Sequence, residues 1–472
     1  MPSVFLTNAP YTLEERYGKL ASIGATLPCL GLLSLGAVLR KAGHRVRVLD
    51  ASALGLSYDA VLREVSRFKP NVVGLSAVTP SINRTARLAR RIKRALPHVP
   101  IVLGGPHVTA MPEKTLESHP PFDYGVIGEG ERTIVELVDA LGSGKRFADI
   151  SGTIFRKDGD LFLGGPASRI EDLDSLPFPA WDLLDEFPGR YRPAVFKYKK
   201  RPSTHVVSSR GCPGRCIFCD TSVFGRHVRF HSSEYVLEMA GYLHRRFGIR
   251  DIIFEDDQFL LKHERVAKIC EGLIKANLPI SWSCSGRVNA IKDLELLQMM
   301  KRSGCWLINY GIESGNQEIL DFAGKGITLD QVKKAVSLTE KAGISSKGYF
   351  ILGLPLETKK TMSQTIRFAK TLPLNDVSVF MLTPFPGSCM YEIAENHGSF
   401  DQDFDRMNVL DVVYTPNGLS RDMLLRYQHR FMRRFYLRPK IIGNYLTRLA
   451  GSPANVADMA KATFGFLRHV ST

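Results

Sequence analysis

Two stretches of this chain repeat the same alternation of short apolar runs and amphipathic segments, and that rhythm restricts the fold more than any other feature. Between residues 1 and 150 the apolar runs are Val4–Leu6, Val46–Leu49, Val72–Leu75, Ile101–Leu103 and Gly125–Ile127. Between them lie Leu30–Lys41, Tyr58–Phe68, Arg84–Ala95, Glu113–Ser118 and Glu131–Leu141, read as helices from apolar residues three or four apart. Continuous Val/Ile/Leu strands alternating with helices predict a parallel sheet covered on both faces. The expected fold class is therefore α/β, with a Rossmann-like doubly wound domain over residues 1–150. From His205 to about Phe385 the alternation returns. Strands are expected at His205–Ser208, Asp251–Phe254, Trp282–Ser285, Leu307–Ile312, Ser346–Leu352 and Val377–Leu382. Six such units predict a partial (β/α)6 barrel of TIM type over residues 201–400.

Residues 151–200 join the two. Thr153–Phe155 and Leu161–Leu163 flank an Asp158-Gly159 turn and predict a hairpin. Leu176-Pro177-Phe178-Pro179-Ala180-Trp181 then reads as an extended linker. Residues 401–472 are expected to be helical and basic: from Leu419 onward ten Lys or Arg face two Asp or Glu. A formal net charge of +16 favours anionic partners in general and names none. The uncharged stretch Ala21–Leu39 reaches membrane-spanning length, but Gly24, Pro28, Gly31 and Gly36 interrupt it, and a buried helix is the better reading. The first residues lack the basic region of an export signal, so a cytoplasmic protein is expected.

In both architectures ligands collect beyond the carboxyl ends of the strands. In the first domain those ends carry Asn8-Ala9-Pro10, Asp50-Ala51-Ser52, Ser76-Ala77-Val78-Thr79, Gly104-Gly105-Pro106-His107 and Gly128-Glu129-Gly130-Glu131. Their small residues suit a ligand that approaches the backbone closely. The absence of G-x-G-x-x-G in the first turn argues against a nicotinamide or flavin dinucleotide. After the first barrel strand comes Cys212-Pro213-Gly214-Arg215-Cys216-Ile217-Phe218-Cys219. Closed structural zinc sites need four ligands, and no fourth Cys or His stands at zinc-finger spacing. Three thiolates instead suit a [4Fe–4S] cluster with one iron left open.

The spacing of Cys212, Cys216 and Cys219, with Phe218 before the third, resembles the radical S-adenosylmethionine superfamily. The resemblance implies that the open iron is chelated by S-adenosylmethionine, whose reductive cleavage yields a 5′-deoxyadenosyl radical. It also implies roles at the other strand ends. Glu255 or Asp256 would reach the cosubstrate's amino group, and Arg287 its carboxylate as a fork. Gly311, Glu313 and Ser314 would meet its amino acid and ribose parts, and Gly353 its adenine. A flavodoxin- or ferredoxin-type protein would supply the electron.

The order of doubly wound domain, Leu-Pro-Phe-Pro linker and barrel resembles the cobalamin-binding branch of that superfamily over roughly residues 1–400. Resemblance to this branch implies a cobalamin bordered by Asn8, Pro10, Ser76, Thr79, Gly104, Gly105, Gly128, Glu129 and Gly130. The D-x-H-x-x-G signature of cobalamin mutases is absent, so cobalt without a lower histidine is expected, and His107 reads as a loop residue. The branch's habits favour methylation of an unactivated carbon in a small-molecule or lipid-like substrate. Oxidative cyclisation or rearrangement, as on a porphyrin side chain, is the alternative. Enzymes that methylthiolate transfer RNA carry a second cluster on three N-terminal cysteines; here that domain has only Cys29, and no nucleic-acid partner is expected. A cobalamin sensor without catalysis would not need the three cysteines. The arginines of Arg426–Tyr436 fit either peripheral contact with an anionic membrane or a solvated face on a helix capping the barrel.

Overall fold

The computed structural model describes residues 1–143, 150–194 and 197–450. Five parallel strands, β1 (Ser3–Asn8), β2 (Arg45–Leu49), β3 (Val72–Ser76), β4 (Ile101–Gly104) and β5 (Tyr124–Val126), form the first sheet in the order β2-β1-β3-β4-β5. The helices Leu30–Lys41 and Tyr58–Phe68 fall where their apolar spacing puts them. The expected hairpin is present as β6 (Thr153–Lys157) and β7 (Asp160–Gly164), but it is not part of a linker. It pairs antiparallel with β5 and extends the sheet to seven strands. Burial of Ile154 and Phe155 explains the attachment, which covers the otherwise exposed edge of β5. The uncharged stretch Ala21–Leu39 contributes a helix with Leu32, Leu33, Ala37 and Leu39 buried. No described helix is long and apolar enough to cross a membrane.

The second sheet opens with β8 (Ser203–Val206), followed by a two-stranded ribbon of β9 (Ser209–Arg210) and β10 (Arg229–Phe230). Then come β11 (Asp251–Phe254), β12 (Ser281–Gly286), β13 (Cys305–Glu313), β14 (Ser345–Leu352) and β15 (Asp376–Met381). All six long strands are parallel, in the order β15-β14-β13-β12-β11-β8, and among the described residues nothing pairs β15 with β8. The barrel is open, as expected. Its first strand ends two residues early, because the Asp256 carboxylate takes the Ser208 amide at 2.8 Å and draws the chain out of the sheet.

The helix Arg421–Tyr436 closes the β15 side. Gln428 Nε2 donates to the Val379 carbonyl at 2.8 Å, and the Phe431 ring lies 5.0 Å from that of Phe350. Phe431 and Phe435 are fully buried, whereas Arg426, Arg430, Arg433 and Arg434 are exposed. This is the barrel-capping arrangement; residues 451–472 of the expected tail lie outside the described residues. Before this helix the chain returns to the first domain, where Asp405 pairs with Arg84 at 2.9 Å and Phe404 packs on His107.

Candidate functional site

The three cysteines sit on the loop between β9 and β10. Gly211 makes the loop possible: its φ is +96°, and a Cβ there would stand 2.3 Å from the His227 carbonyl oxygen. Backbone bonds from Cys212 to Gly225, Cys219 to Cys216 and Ile217 to Ala323 fix the turns. A methyl group at Gly214 would fall 2.8 Å from Arg287 Nη1, 3.3 Å from Cys212 Sγ and 3.8 Å from Cys216 Sγ, so glycine leaves room for the guanidinium beside both sulfurs. Gln258 Nε2 lies 3.2 Å from Cys212 Sγ, and Arg287 Nη1 3.7 Å from Cys216 Sγ. The Cys216 thiol is lowered to about 6, first by its hydrogen bond with Cys219 and then by the charges of Lys325 and Arg287. Soft donors and N–H groups aimed at sulfur fit an iron–sulfur cluster. Neither Gln258 nor Lys325 was legible in the sequence, since each belongs to a turn with no chemical pattern of its own.

The strand ends around this loop sort the expected cosubstrate residues into two groups. Glu313 ends β13 at φ +65°, where the register with β14 shifts, and its carboxylate lies 2.7 Å from Lys325 Nζ. Such a backbone in a non-glycine residue is uncommon and clusters at ligand sites. Gly311 serves this pair, because a Cβ there would be 2.5 Å from Glu313 Oε1 and 2.8 Å from Lys325 Nζ. Lys325 also stands 6.0 Å from the centre of the Phe218 ring. Arg287 is not a free fork: it donates to the Lys325 carbonyl and lies on Cys216. Glu255 is half-buried, 3.5 Å from Lys197, while Asp257 is exposed.

Asp256 departs from expectation. It is enclosed, accepting from the Ser208 amide and hydroxyl and from the Ser209 hydroxyl, and burial pushes its carboxyl up to about 6. It braces the cysteine loop from below. Ser314 is likewise internal, bonded to Thr365 Oγ1 at 3.2 Å and accepting from the Asn316 amide. Gly353, at φ +89°, donates its amide to Glu357 Oε2 at 2.6 Å. Glu357 is buried with Oε1 unpartnered, and burial pushes it up to about 8.

At the carboxyl edge of the first sheet, Asn8 bridges Asp50 and the Ser52 amide at 2.8 and 3.0 Å, and Asp50 also accepts from the Cys29 amide. Pro10 is buried behind it. No atom lies within 4 Å of where a Gly104 Cβ would be; Ser76 is half-buried, and Val78 is 46% exposed. Open ground over small residues beside an uncovered valine fits the apolar face of a corrin. Gly105, at φ +104°, is needed for its turn, since a Cβ would meet the Ala77 carbonyl oxygen at 2.6 Å. Thr79 Oγ1 lies 3.2 Å from His107 Nδ1, and that ring is shut beneath Phe404, burial lowering it to about 4. Gly128, at φ +74°, and Gly130 shape the turn after β5. Glu129 between them departs from expectation: its oxygens accept from Arg210 at 3.0 Å, from Arg229 and from the Ile170 amide. A buried carboxylate needs counter-charge, and Glu129 finds it in the barrel domain.

A profile of the B12 binding domain matches residues 18–138, and one of the radical SAM superfamily matches residues 206–369. The chain is 35% identical over 424 residues to a Pyrococcus horikoshii protein named as an uncharacterized methyltransferase, spanning 89% of this chain and 90% of the other. It is 30% identical to the anaerobic magnesium-protoporphyrin IX monomethyl ester cyclase of Rubrivivax gelatinosus, spanning 88% and 75%. Among solved structures, the cobalamin-dependent S-adenosylmethionine radical enzyme OxsB, with aqua-cobalamin and S-adenosylmethionine bound, has the same fold. The TM-score is 0.68 at 22% identity over 78% of this chain and 52% of OxsB, so the chain spans about half of that protein. The two domains bring their cofactors with them: a [4Fe–4S] cluster and S-adenosylmethionine for the barrel, cobalamin for the sheet domain. From its three-cysteine loop to its paired domains, the chain belongs to the radical SAM superfamily, among the members that carry an N-terminal B12-binding domain.

Proposed function

We propose that this enzyme methylates an unactivated carbon of a small-molecule substrate, lipid-like substrates included. The observation that carries the reading is the meeting of two ligand edges. Glu129 and Glu131 follow β5 and Arg210 follows β8, and they join at 3.0 and 2.5 Å, so the carboxyl ends of both sheets face one another. Once bound, the cluster and S-adenosylmethionine supply a radical that removes a substrate hydrogen, and cobalamin supplies the methyl group.

The chain's own residues bind, orient and exclude water. Cys212, Cys216 and Cys219 would hold three irons, leaving the fourth for the cosubstrate. Gln258 and Arg287 donate toward sulfur, and Arg287 and Lys325 keep positive charge beside the thiolates. Glu313, backed by Lys325, and half-buried Glu255 are the carboxylates left for the cosubstrate's amino group. Arg287, already tied to the Lys325 carbonyl, would offer the cosubstrate's carboxylate positive charge and not a two-pronged fork, Gly311 would keep room for the Glu313–Lys325 pair, and Phe218 and Gly353 would border adenine. Ser76, Thr79, Gly104, Gly105 and Gly128 would border cobalamin, while His107, bonded to Thr79 through Nδ1 and packed against Phe404, would stay part of the wall.

Radical cyclisation is the second reading, favoured by 30% identity to the Rubrivivax cyclase across 75% of its length. Anaerobic reconstitution with both cofactors, a strong reductant and candidate substrates separates the two. 5′-Deoxyadenosine together with S-adenosylhomocysteine and a product heavier by one methyl group supports methylation. 5′-Deoxyadenosine without S-adenosylhomocysteine supports cyclisation. Zinc in anaerobically purified protein overturns both. The net charge supports an acidic flavodoxin- or ferredoxin-type electron donor, and eight free cysteines support a reducing cytoplasm. Burial of Phe431 and Phe435 turns the apolar face of the helix Arg421–Tyr436 into the barrel and leaves its exposed arginines as the support for any membrane contact of this helix.

A further inference from the structure

The base of the cysteine loop holds two arginines that ought to repel. Arg210 and Arg229 are direct partners across the β9–β10 ribbon, and like charges in that position destabilise paired strands. Both are nearly sealed from water, at 8% and 4% exposed. Among the described residues their ion-pair partners come from the other domain. Glu129 takes both guanidiniums, and Glu131 takes Arg210. Arg229 also donates to the Ile170 carbonyl in the connecting segment. The result is two positive and two negative charges in one dry junction, which joins the turn after β5 to the loop that carries Cys212, Cys216 and Cys219.

We infer that Glu129 and Glu131 are positioning residues for the iron–sulfur cluster: the sheet domain supplies the two negative charges that let the cysteine loop of the barrel close. The inference rests on the reading that the three cysteines hold the cluster. Its physical basis is that a buried charge left without its partner is strongly unfavourable, whereas a neutral replacement of the whole pair is tolerated. Without the carboxylates the ribbon carries two uncompensated guanidiniums, and it relieves them by opening toward water. Opening separates Ser209–Arg210 from Arg229–Phe230 and with them the two ends of the cysteine loop. The same four charges also tie the cobalamin edge to the cluster loop, so the span between the two cofactors is set by short, charge-assisted bonds.

The test uses the full chain, purified and reconstituted anaerobically with iron and sulfide, in four forms: wild type, Glu129→Gln, Glu129→Asp, and Glu129→Gln combined with Arg229→Met. Iron and sulfide per chain are measured, along with the electron paramagnetic resonance signal of the reduced cluster before and after S-adenosylmethionine. Glu129→Gln is expected to lose iron severalfold and to blunt the cosubstrate-induced change in the signal. Glu129→Asp recovers part of both. The double variant recovers more, although it has lost two charged groups, because its ribbon no longer carries excess charge. Wild-type iron content and an unaltered cosubstrate response in Glu129→Gln would overturn the inference. So would a double variant as poor in iron as the single one, which would mark the carboxylate as packing alone. Should Glu129→Gln fail to fold, the double variant decides in the same way. A wild-type chain that takes up no cluster instead overturns the reading beneath it.

Discussion

Lys325 Nζ lies 2.7 Å from Glu313 Oε1, with both side chains less than one-tenth exposed, and the same lysine favours the thiolate of Cys216. One cation thus serves a carboxylate on β13 and a sulfur on the cysteine loop. Lys325→Met leaves Glu313 buried and unpaired, at a cost of about 3 kcal/mol. Anaerobic urea denaturation reads that loss, and cosubstrate binding should weaken with it. The double variant Lys325→Met/Glu313→Gln should regain much of the stability. A Lys325→Met protein as stable as wild type would remove the pair from the site's architecture.

Gly211→Ala adds one carbon where the His227 oxygen already stands 2.3 Å away and where φ is +96°. The loop cannot keep that turn. Iron per chain after reconstitution should drop well below wild type, while the far-ultraviolet circular dichroism of the apoprotein stays the same. Full iron loading would show that the loop tolerates another path.

Glu357 yields a pH prediction. Burial raises its carboxyl from 4.5 to about 8, so the folded state holds a proton that the unfolded chain releases. The stabilisation from this group is complete below pH 4.5 and disappears as pH rises through 8. Glu357→Gln keeps the shape and an acceptor for the Gly353 amide without the titration. Unfolding midpoints of the two proteins should agree near pH 4.5, with wild type falling progressively behind up to about pH 8 and the gap levelling off above it. A constant gap across that window would refute the assignment.

Phe431→Ala and Arg430→Ala separate the two faces of the helix Arg421–Tyr436. Phe431 is fully buried against Phe350, so its truncation should cost about 3–5 kcal/mol. Arg430 is exposed, and its loss should change stability by no more than about 0.5 kcal/mol. Equal effects in thermal unfolding would contradict the capping role.

Much of the fold was readable because its signals are local. Leu30–Lys41, Tyr58–Phe68 and Asp251–Phe254 lie where apolar spacing placed them. Other elements carried no such signal. The helix Gln317–Phe322 is too short to show a period, and the β9–β10 ribbon has only two residues per strand. Asp256 looked like a site residue because it follows an apolar strand, yet it is enclosed while its neighbours Glu255 and Asp257 are half-buried and exposed. Three consecutive acids do not announce which one the turn folds inward.

The chain by itself determined what depends on near neighbours: the strand–helix rhythm, the Asp158-Gly159 turn, and three thiols spaced to share one cluster. Tertiary structure alone decided which charges neutralise one another. Glu129 and Glu131 find Arg210 from 81 and 79 residues away, and Glu129 finds Arg229 from 100. Periodicity and ligand spacing are properties of a few consecutive residues. The partner of a buried charge is fixed by which surfaces lose water together, and that is settled only when the two domains close on each other.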